Sequence, residues 1–297
     1  MNSFLDIGIV TASIRMAAPL LFAALGTVFI SSAGVYNIAI EGSMLIGTFV
    51  AVVAGYLTHS VFFGFVAAGL GGMLLGIMLA FFIVRFRGDA IVVGIGGNIF
   101  AWGITVFLLE EVFHMRGSFS GEGVPSFPSL RIPLLDSIPV LREIVSGHSL
   151  PVYLAFFFAI LVWVVLYKTP VGLVIRATGK NVEAVRSIGT NVEKIQIVCF
   201  ALSGFFAGLG GACLSIANLQ GLWSENMTVG RGYIAICAAA FGRNNPILVI
   251  LACLVFGFAE AIGIRFQVLQ LEPSFVLMIP YIVTIVMLVL SSRRERI

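Results

Sequence analysis

Residues 168–194, KTPVGLVIRATGKNVEAVRSIGTNVEK, form a polar island between two long apolar runs and hold five of the 17 lysines and arginines. The spacing predicts short capped helices here. Asn181 stands where it can cap a helix over residues 182–188, with Glu183 in the first turn, where a negative charge suits a helix N-terminus. Gly189 follows at the position where a left-handed C-terminal cap costs least. Asn191 can cap the next helix, with Glu193 in its first turn. Val182, Val185 and Ile188 recur every three residues, giving the short helix one oily side and one side carrying Glu183 and Arg186. An amphipathic helix held at a membrane face by two spans is a surface that a second protein can push.

The runs on either side explain why a membrane face is at issue. Of the 297 residues, 60% are hydrophobic and only 10% charged, against roughly 25% charged in an average soluble domain. The mean hydropathy is +1.10. Several apolar runs approach the ~20 residues that a helical crossing needs, and the alternating ten-residue segments of a membrane barrel are absent. The chain therefore reads as an all-α integral membrane protein, a polytopic bundle of eight to ten transmembrane segments. The apolar segments fall at 7–30, 38–57, 61–84, 91–109, 150–167, 195–216, 233–241, 247–264 and 275–290.

Lysine and arginine placement orients the bundle. Arg85, Arg87, the island 168–194, Arg243 and the terminal Arg293, Arg294 and Arg296 would share the cytoplasmic side. The loop 110–149 would lie outside, with Arg116, Arg131 and Arg142 against five acids, and Pro125, Pro128, Pro133 and Pro139 shaping it. Nine crossings would place the N-terminus outside and the C-terminus in the cytoplasm. The basic residues flank membrane segments, so the net charge of +3 points to topology control and not to nucleic acid.

Three stretches interrupt the apolar pattern. Residues 31–42, SSAGVYNIAIEG, set Asn37 and Glu41 between glycines. Glu41 reads either as a functional intramembrane carboxylate or as an interfacial cap of local structure. Residues 218–231, NLQGLWSENMTVGR, carry Gln220, Trp223, Glu225 and Arg231, a re-entrant or outer-face loop in which Trp223 either anchors at the interface or stacks on a ligand ring. Residues 94–102, GIGGNIFAW, place Asn98 and Trp102 one turn apart, suited to a sugar hydroxyl or flat base, or to a helix–helix hydrogen bond. Asn37, Glu41, Asn98, Trp102, Gln220 and Trp223 are thus the candidates for a solute path. Glu260 sits within an apolar span with no partner legible in the sequence.

Catalytic signatures are missing. There is no phosphate-cradling glycine loop, no HExxH and no GxSxG. His59, His114 and His148 are scattered, and Cys199, Cys213, Cys237 and Cys253 lie singly in apolar runs, as packed thiols do. No metal site, cofactor or catalytic residue is expected. A membrane enzyme would have Glu41 alone to work with. A stand-alone ion- or proton-coupled carrier would need paired charges on broken helices, and no clear pair is legible. The 33 glycines often recur at small-xxx-small spacing, as in Gly72 and Gly76, Gly204, Gly208 and Ala212, or Ala207 and Gly211, which favours close helix packing in lipid.

The stretches AGVYNIAIEGSMLIGTF (33–49), PVGLVIRATGKNVEAVRSIGTNV (170–192), LSGFFAGLGGA (202–212), ENMTVGRGYIAICAAAFGRNNP (225–246) and IPYIVT (279–284) resemble, in order, the permease subunit of bacterial ABC importers of the branched-chain amino acid/ribose/simple-sugar superfamily. The likeness is greatest to its nucleoside and simple-sugar branch. Ala39 and Ile40 replace a usual Gly-Leu, Val185 an alanine and Thr190 an isoleucine. The resemblance implies a single transmembrane permease domain over residues 1–297 in the bacterial cytoplasmic membrane. It implies that 170–192, with Arg176, Asn181, Val182, Glu183, Val185, Arg186, Ile188 and Gly189, docks on a cytoplasmic ABC ATPase. It also implies a second, related permease subunit and an extracytoplasmic substrate-binding protein.

Overall fold

The structure is a computed structural model that describes residues 7–119, 123–130 and 146–268, with residues 282 and 285. The expected segment 275–290, apart from those two residues, and Arg131, Pro133, Pro139, Arg142, Arg293, Arg294 and Arg296 lie outside the described residues. Seven described helices are long and apolar enough to cross a membrane, and three more are shorter. They are α1 (Ile7–Ser32), α2 (Ile40–Thr58), α3 (Val61–Ala80) running on into a π-helical turn (Phe81–Arg85), and α4 (Ala90–Phe113). After strand β1 (Ser118–Phe119) come α5 (Leu150–Lys168), α6 (Pro170–Lys180), α7 (Val182–Ser187) and α8 (Val192–Ala212) with a second π-helical turn (Cys213–Asn218). Strand β2 (Trp223–Ser224), the short α9 (Arg231–Phe241) and α10 (Pro246–Val268) follow. The segments expected from hydropathy match these helices to within three residues at most ends. The chain is a multi-pass helical membrane protein.

Helix α8 is the hub, and its glycines set the packing distance. A Cβ on Gly204 would lie 2.1 Å from the Gly72 carbonyl oxygen of α3, and one on Gly208 would lie 2.2 Å from that of Ala68. On its other sides, a Cβ on Gly211 would meet the Met44 oxygen of α2 at 2.1 Å, and one on Gly210 the Pro19 oxygen of α1 at 2.7 Å. Lipid offers no hydrophobic drive for helix association, so this backbone-to-backbone dispersion contact is what holds four helices together. The small-residue spacing read from the sequence is therefore a packing device.

The contacts also fix direction. Gly26 of α1 meets Ser203, whereas Pro19 meets Gly210, so α1 and α8 are antiparallel. Both the end of α1 and the turn after it abut α6: a Cβ on Gly179 would lie 2.3 Å from the Ser32 oxygen. At the same end Arg85 approaches Glu193, 3.7 Å apart. At the opposite end β1 pairs antiparallel with β2. The basic island and the turn 85–89 thus share one end of the bundle, as lysine and arginine placement predicts.

Helix α9 is half a span. Gly257 of α10 rests on Ser13 and Ala17 and Gly8 on Arg265, so α10 is antiparallel to α1 and starts at the α6–α7 end. Arg231, which opens α9, pairs with Glu260, 14 residues or about 21 Å into α10 at ~1.5 Å per residue. The 11 residues of α9 cover about 16 Å, roughly half the ~30 Å hydrocarbon core. Residues 225–230 make the rest of the crossing as irregular chain, starting where β2 pairs with β1.

Candidate functional site

Where α9 begins, two of the candidate residues meet, Glu41 and Asn98. Glu41, 8% exposed, accepts from Gly230 N at 2.7 Å through Oε1 and from Gly232 N at 2.6 Å through Oε2. Those N–H groups are among the four that a helix leaves unpaired at its start, and they carry the positive end of its dipole. Gly230 holds a positive φ of 79°, and Gly232 lies so close to Glu41 that a Cβ would sit 2.5 Å from the Glu41 Cα. Glycine is required at both places, by conformation at one and by proximity at the other. Glu41 is a cap, but not of local structure: it caps a helix about 190 residues away.

Asn98 closes the ring. Its Oδ1 accepts from Gly42 N at 2.7 Å, while Nδ2 donates to the Ile38 oxygen at 3.2 Å and to the Tyr233 hydroxyl at 2.9 Å. Asn37 accepts from Ala39 N at 3.0 Å and donates to Ser203 Oγ at 3.2 Å. The turn between α1 and α2 is therefore pinned to α4, α8 and α9 by side-chain amides and one carboxylate. Backbone that is irregular at membrane depth survives by this kind of internal satisfaction.

The missing partner of Glu260 is Arg231. Arg231 Nε donates to Glu260 Oε1 at 2.9 Å, Nη2 bonds the same oxygen, and Nη1 donates to the Met227 and Thr228 oxygens. With both groups mostly buried, removing one leaves the other as an uncompensated charge, costing about 3–5 kcal/mol, whereas replacing both with apolar residues is closer to neutral. Arg231→Met is expected to lower the thermal midpoint sharply in detergent. Adding Glu260→Leu should restore most of the loss, as read by fluorescence-detected melting.

The other path candidates are placed differently. Trp102 lies one turn from Asn98 and is 52% exposed. Gln220 is exposed at a positive φ of 53° in the loop after α8. Trp223 is fully buried, edge-on to Phe49, and donates from Nε1 to Thr48 Oγ1 at 3.0 Å. Its pairing through β2 with Phe119 draws the indole inward. An apolar groove of about 220 Å³ between α2, α3 and α4, lined by Phe49, Leu74 and Phe100, offers almost no polar atoms to a solute. Among the described residues no group of His, Cys, Asp and Glu could hold a metal.

The island forms three caps. Thr169 accepts from Gly172 N, Asn181 from Ala184 N and Asn191 from Lys194 N. Gly189 (φ 78°) donates to the Arg186 oxygen and Thr190 N to the Val185 oxygen, the two bonds of a Schellman motif. The oily side reads differently from expectation. Val185 is 3% exposed, and Ile188, 74% exposed, has left the helix as its C-cap. Val185 thus fastens α7 to its own chain, Val182 is half-buried, and Ile188 alone of the three is exposed. The outward surface is Ile188 with Glu183 and Arg186, paired at 3.0 Å. Arg176 also turns back, donating to the Leu166 oxygen at 3.0 Å and lying 4.7 Å from the Tyr167 ring centre.

Sequence reasoning missed Tyr233 and the contact of Gly34 with Gly179, where a Cβ on Gly34 would lie 2.8 Å from the Gly179 Cα. The sequence signal for the latter was a glycine in each of two motifs, with nothing to show that they meet.

The family model described as branched-chain amino acid transport system / permease component matches residues 9–288. The guanosine ABC transporter permease protein NupQ of Bacillus subtilis is 35% identical, over 94% of this chain and 90% of its own. The nucleoside ABC transporter permease protein NupC of Lactococcus lactis is 34% identical, over 98% and 94%. The putative glucose ABC transporter permease protein TsgC13 of Haloferax volcanii is 31% identical, over 89% and 79%. No solved structure matches the chain. A half-span helix tied to its bundle, a capped knuckle at the basic end and a family match over nearly the whole sequence agree: the chain belongs to the branched-chain amino acid transport system / permease component family.

Proposed function

We propose that this chain is the membrane-spanning subunit of an ATP-binding cassette importer that carries a nucleoside or simple sugar into the cell, driven by a separate ATPase. The likeness to permeases named for guanosine, nucleosides and glucose supports the solute class. The observation that carries the mechanism is a continuous chain of contacts from one end of the molecule to its middle. The exposed Ile188 knuckle continues through α6 to Gly179, which abuts Ser32 and Gly34. From there the pinned turn leads to Asn37 and Glu41, and Glu41 holds the start of α9. A push on α7 moves a half-helix at mid-membrane.

In this reading residues 1–297 make one permease domain in the bacterial cytoplasmic membrane. The α6–α7 end and the C-terminus face the cytoplasm, and the loop 110–149 faces outside. Hydrolysis belongs to the ATPase, and the chain needs no cofactor. A second, related permease completes the pore, and an extracytoplasmic binding protein delivers the solute. Asn98 and Trp102 flank the path, while Asn37 and Glu41 shape it from behind. Proteoliposomes holding the complete assembly should take up guanosine only with ATP on the ATPase side. Uptake by this chain alone, driven by an ion gradient, would instead establish a stand-alone carrier.

A further inference from the structure

One surface at membrane depth does not suit lipid. Val229 is 49% exposed and Tyr233 43%; they flank the α9 start where the backbone is irregular, and Val229 itself has a positive φ of 46°. The Tyr233 hydroxyl is held by the Asn98 amide, and the exposed Trp102 ring stands one turn along α4 from Asn98. Tyrosine in membrane proteins collects at the two interfaces, whereas this one opens a helix that covers only half the crossing. Irregular backbone and exposed polar atoms at that depth belong against protein or water. Contrast α3, whose outward stripe of Phe62, Val66, Leu70 and Leu74 is purely apolar and suits lipid.

The charge at this place is already cancelled. A half-helix start commonly receives an anionic group of the solute, but here Glu41 occupies Gly230 N and Gly232 N, and Arg231 is taken by Glu260. What remains open is aromatic and neutral. We propose that Tyr233, positioned by Asn98 and acting with Trp102, contacts the solute on a water-filled face of the path, and that this face takes an uncharged nucleoside through its flat base. The proposal rests on the importer reading and narrows it to a residue and a ligand charge.

The test uses the assembled transporter in vesicles, with Cys237→Ala as background because that thiol lies one turn from Tyr233 and is half-buried. Tyr233→Cys and Trp102→Cys should react with a membrane-impermeant sulfonated methanethiosulfonate much faster than Leu70→Cys. Millimolar guanosine should slow both reactions, and guanosine monophosphate should not. Tyr233→Ala should lower guanosine uptake about tenfold with insertion intact, the order that one lost base–aromatic stack supplies, and Tyr233→Phe should retain most of it. Labelling no faster than at Leu70→Cys would place this face against lipid or a partner chain and overturn the proposal. Equal protection by the monophosphate, or protection by glucose alone, would overturn the ligand assignment. Because labelling is read without ATP, these failures are distinct from an assembly that imports nothing, which would sink the importer reading instead.

Discussion

Gly204→Val is expected to remove the folded permease from detergent extracts, with no monodisperse species and no measurable uptake. A Cβ at Gly204 lies 2.1 Å from the Gly72 oxygen and 3.2 Å from the Gly76 Cα. Both obstacles are backbone, so no side chain can swing aside, and α3 must move away from α8. Overpacking of ordinary cores costs about 1–3 kcal/mol. A clash between two backbones belongs at or above the top of that range, against a total stability of roughly 5–15 kcal/mol. Separation of α3 also weakens α2, which packs on both helices. Gly103→Val is the matched control: nothing lies within 4 Å of its would-be Cβ, and it should behave as wild type in fluorescence-detected size exclusion. A Gly204→Val protein that melts at the wild-type temperature would show that the α3–α8 contact is not what holds the bundle.

Glu41→Ala should leave a folded, inserted protein that no longer transports. The substitution strips the acceptor from two buried N–H groups at once. Hydrogen bonds to charged groups contribute about 1.5–3 kcal/mol each, so the tie between α2 and α9 weakens by roughly 3–6 kcal/mol. The bundle core, built on α8, does not depend on this tie. Uptake should therefore fall on the order of a hundredfold or more, since ~1.4 kcal/mol corresponds to a factor of ten, and the melting temperature should drop about as far as for Arg231→Met while the protein still inserts. Glu41→Gln keeps one acceptor oxygen but turns an amide donor towards the second N–H, and its uptake should lie between wild type and Glu41→Ala. Wild-type transport by Glu41→Ala would show that α9 needs no fixed start.

The parts of the molecule legible in the sequence are those that local rules decide. Asn181, Gly189 and Asn191 cap as their spacing requires because a cap involves residues within four positions of one another. The long helices begin and end where hydropathy changes because the solvent changes there. Close packing at Gly72, Gly204 and Gly208 could be anticipated from small residues one turn apart.

What escaped is what two distant segments do together. Glu41 was visible as an anomalous carboxylate, but its partners are the backbone amides of Gly230 and Gly232, and amides carry no sequence signal. Glu260 needed Arg231, 29 residues away, across a turn that reverses the chain. Trp223 looked like an interface residue because tryptophan usually is one; pairing of two-residue strands pulled it into the core. A periodicity of three placed Val182, Val185 and Ile188 on one side, yet a six-residue helix ends before Ile188, and the cap turned that side chain outward.

The direct test of the central claim places one cysteine at Ile188 and asks what it touches. In sealed right-side-out vesicles Ile188→Cys should be inaccessible to an impermeant maleimide, and in inverted vesicles it should react. Co-expression with the cognate ATPase should suppress that reaction and permit a short bifunctional cross-link between the two chains, at a yield that changes when ATP is added. Labelling from the outer side, or an unprotected thiol with no cross-link in a transport-competent assembly, would contradict the account.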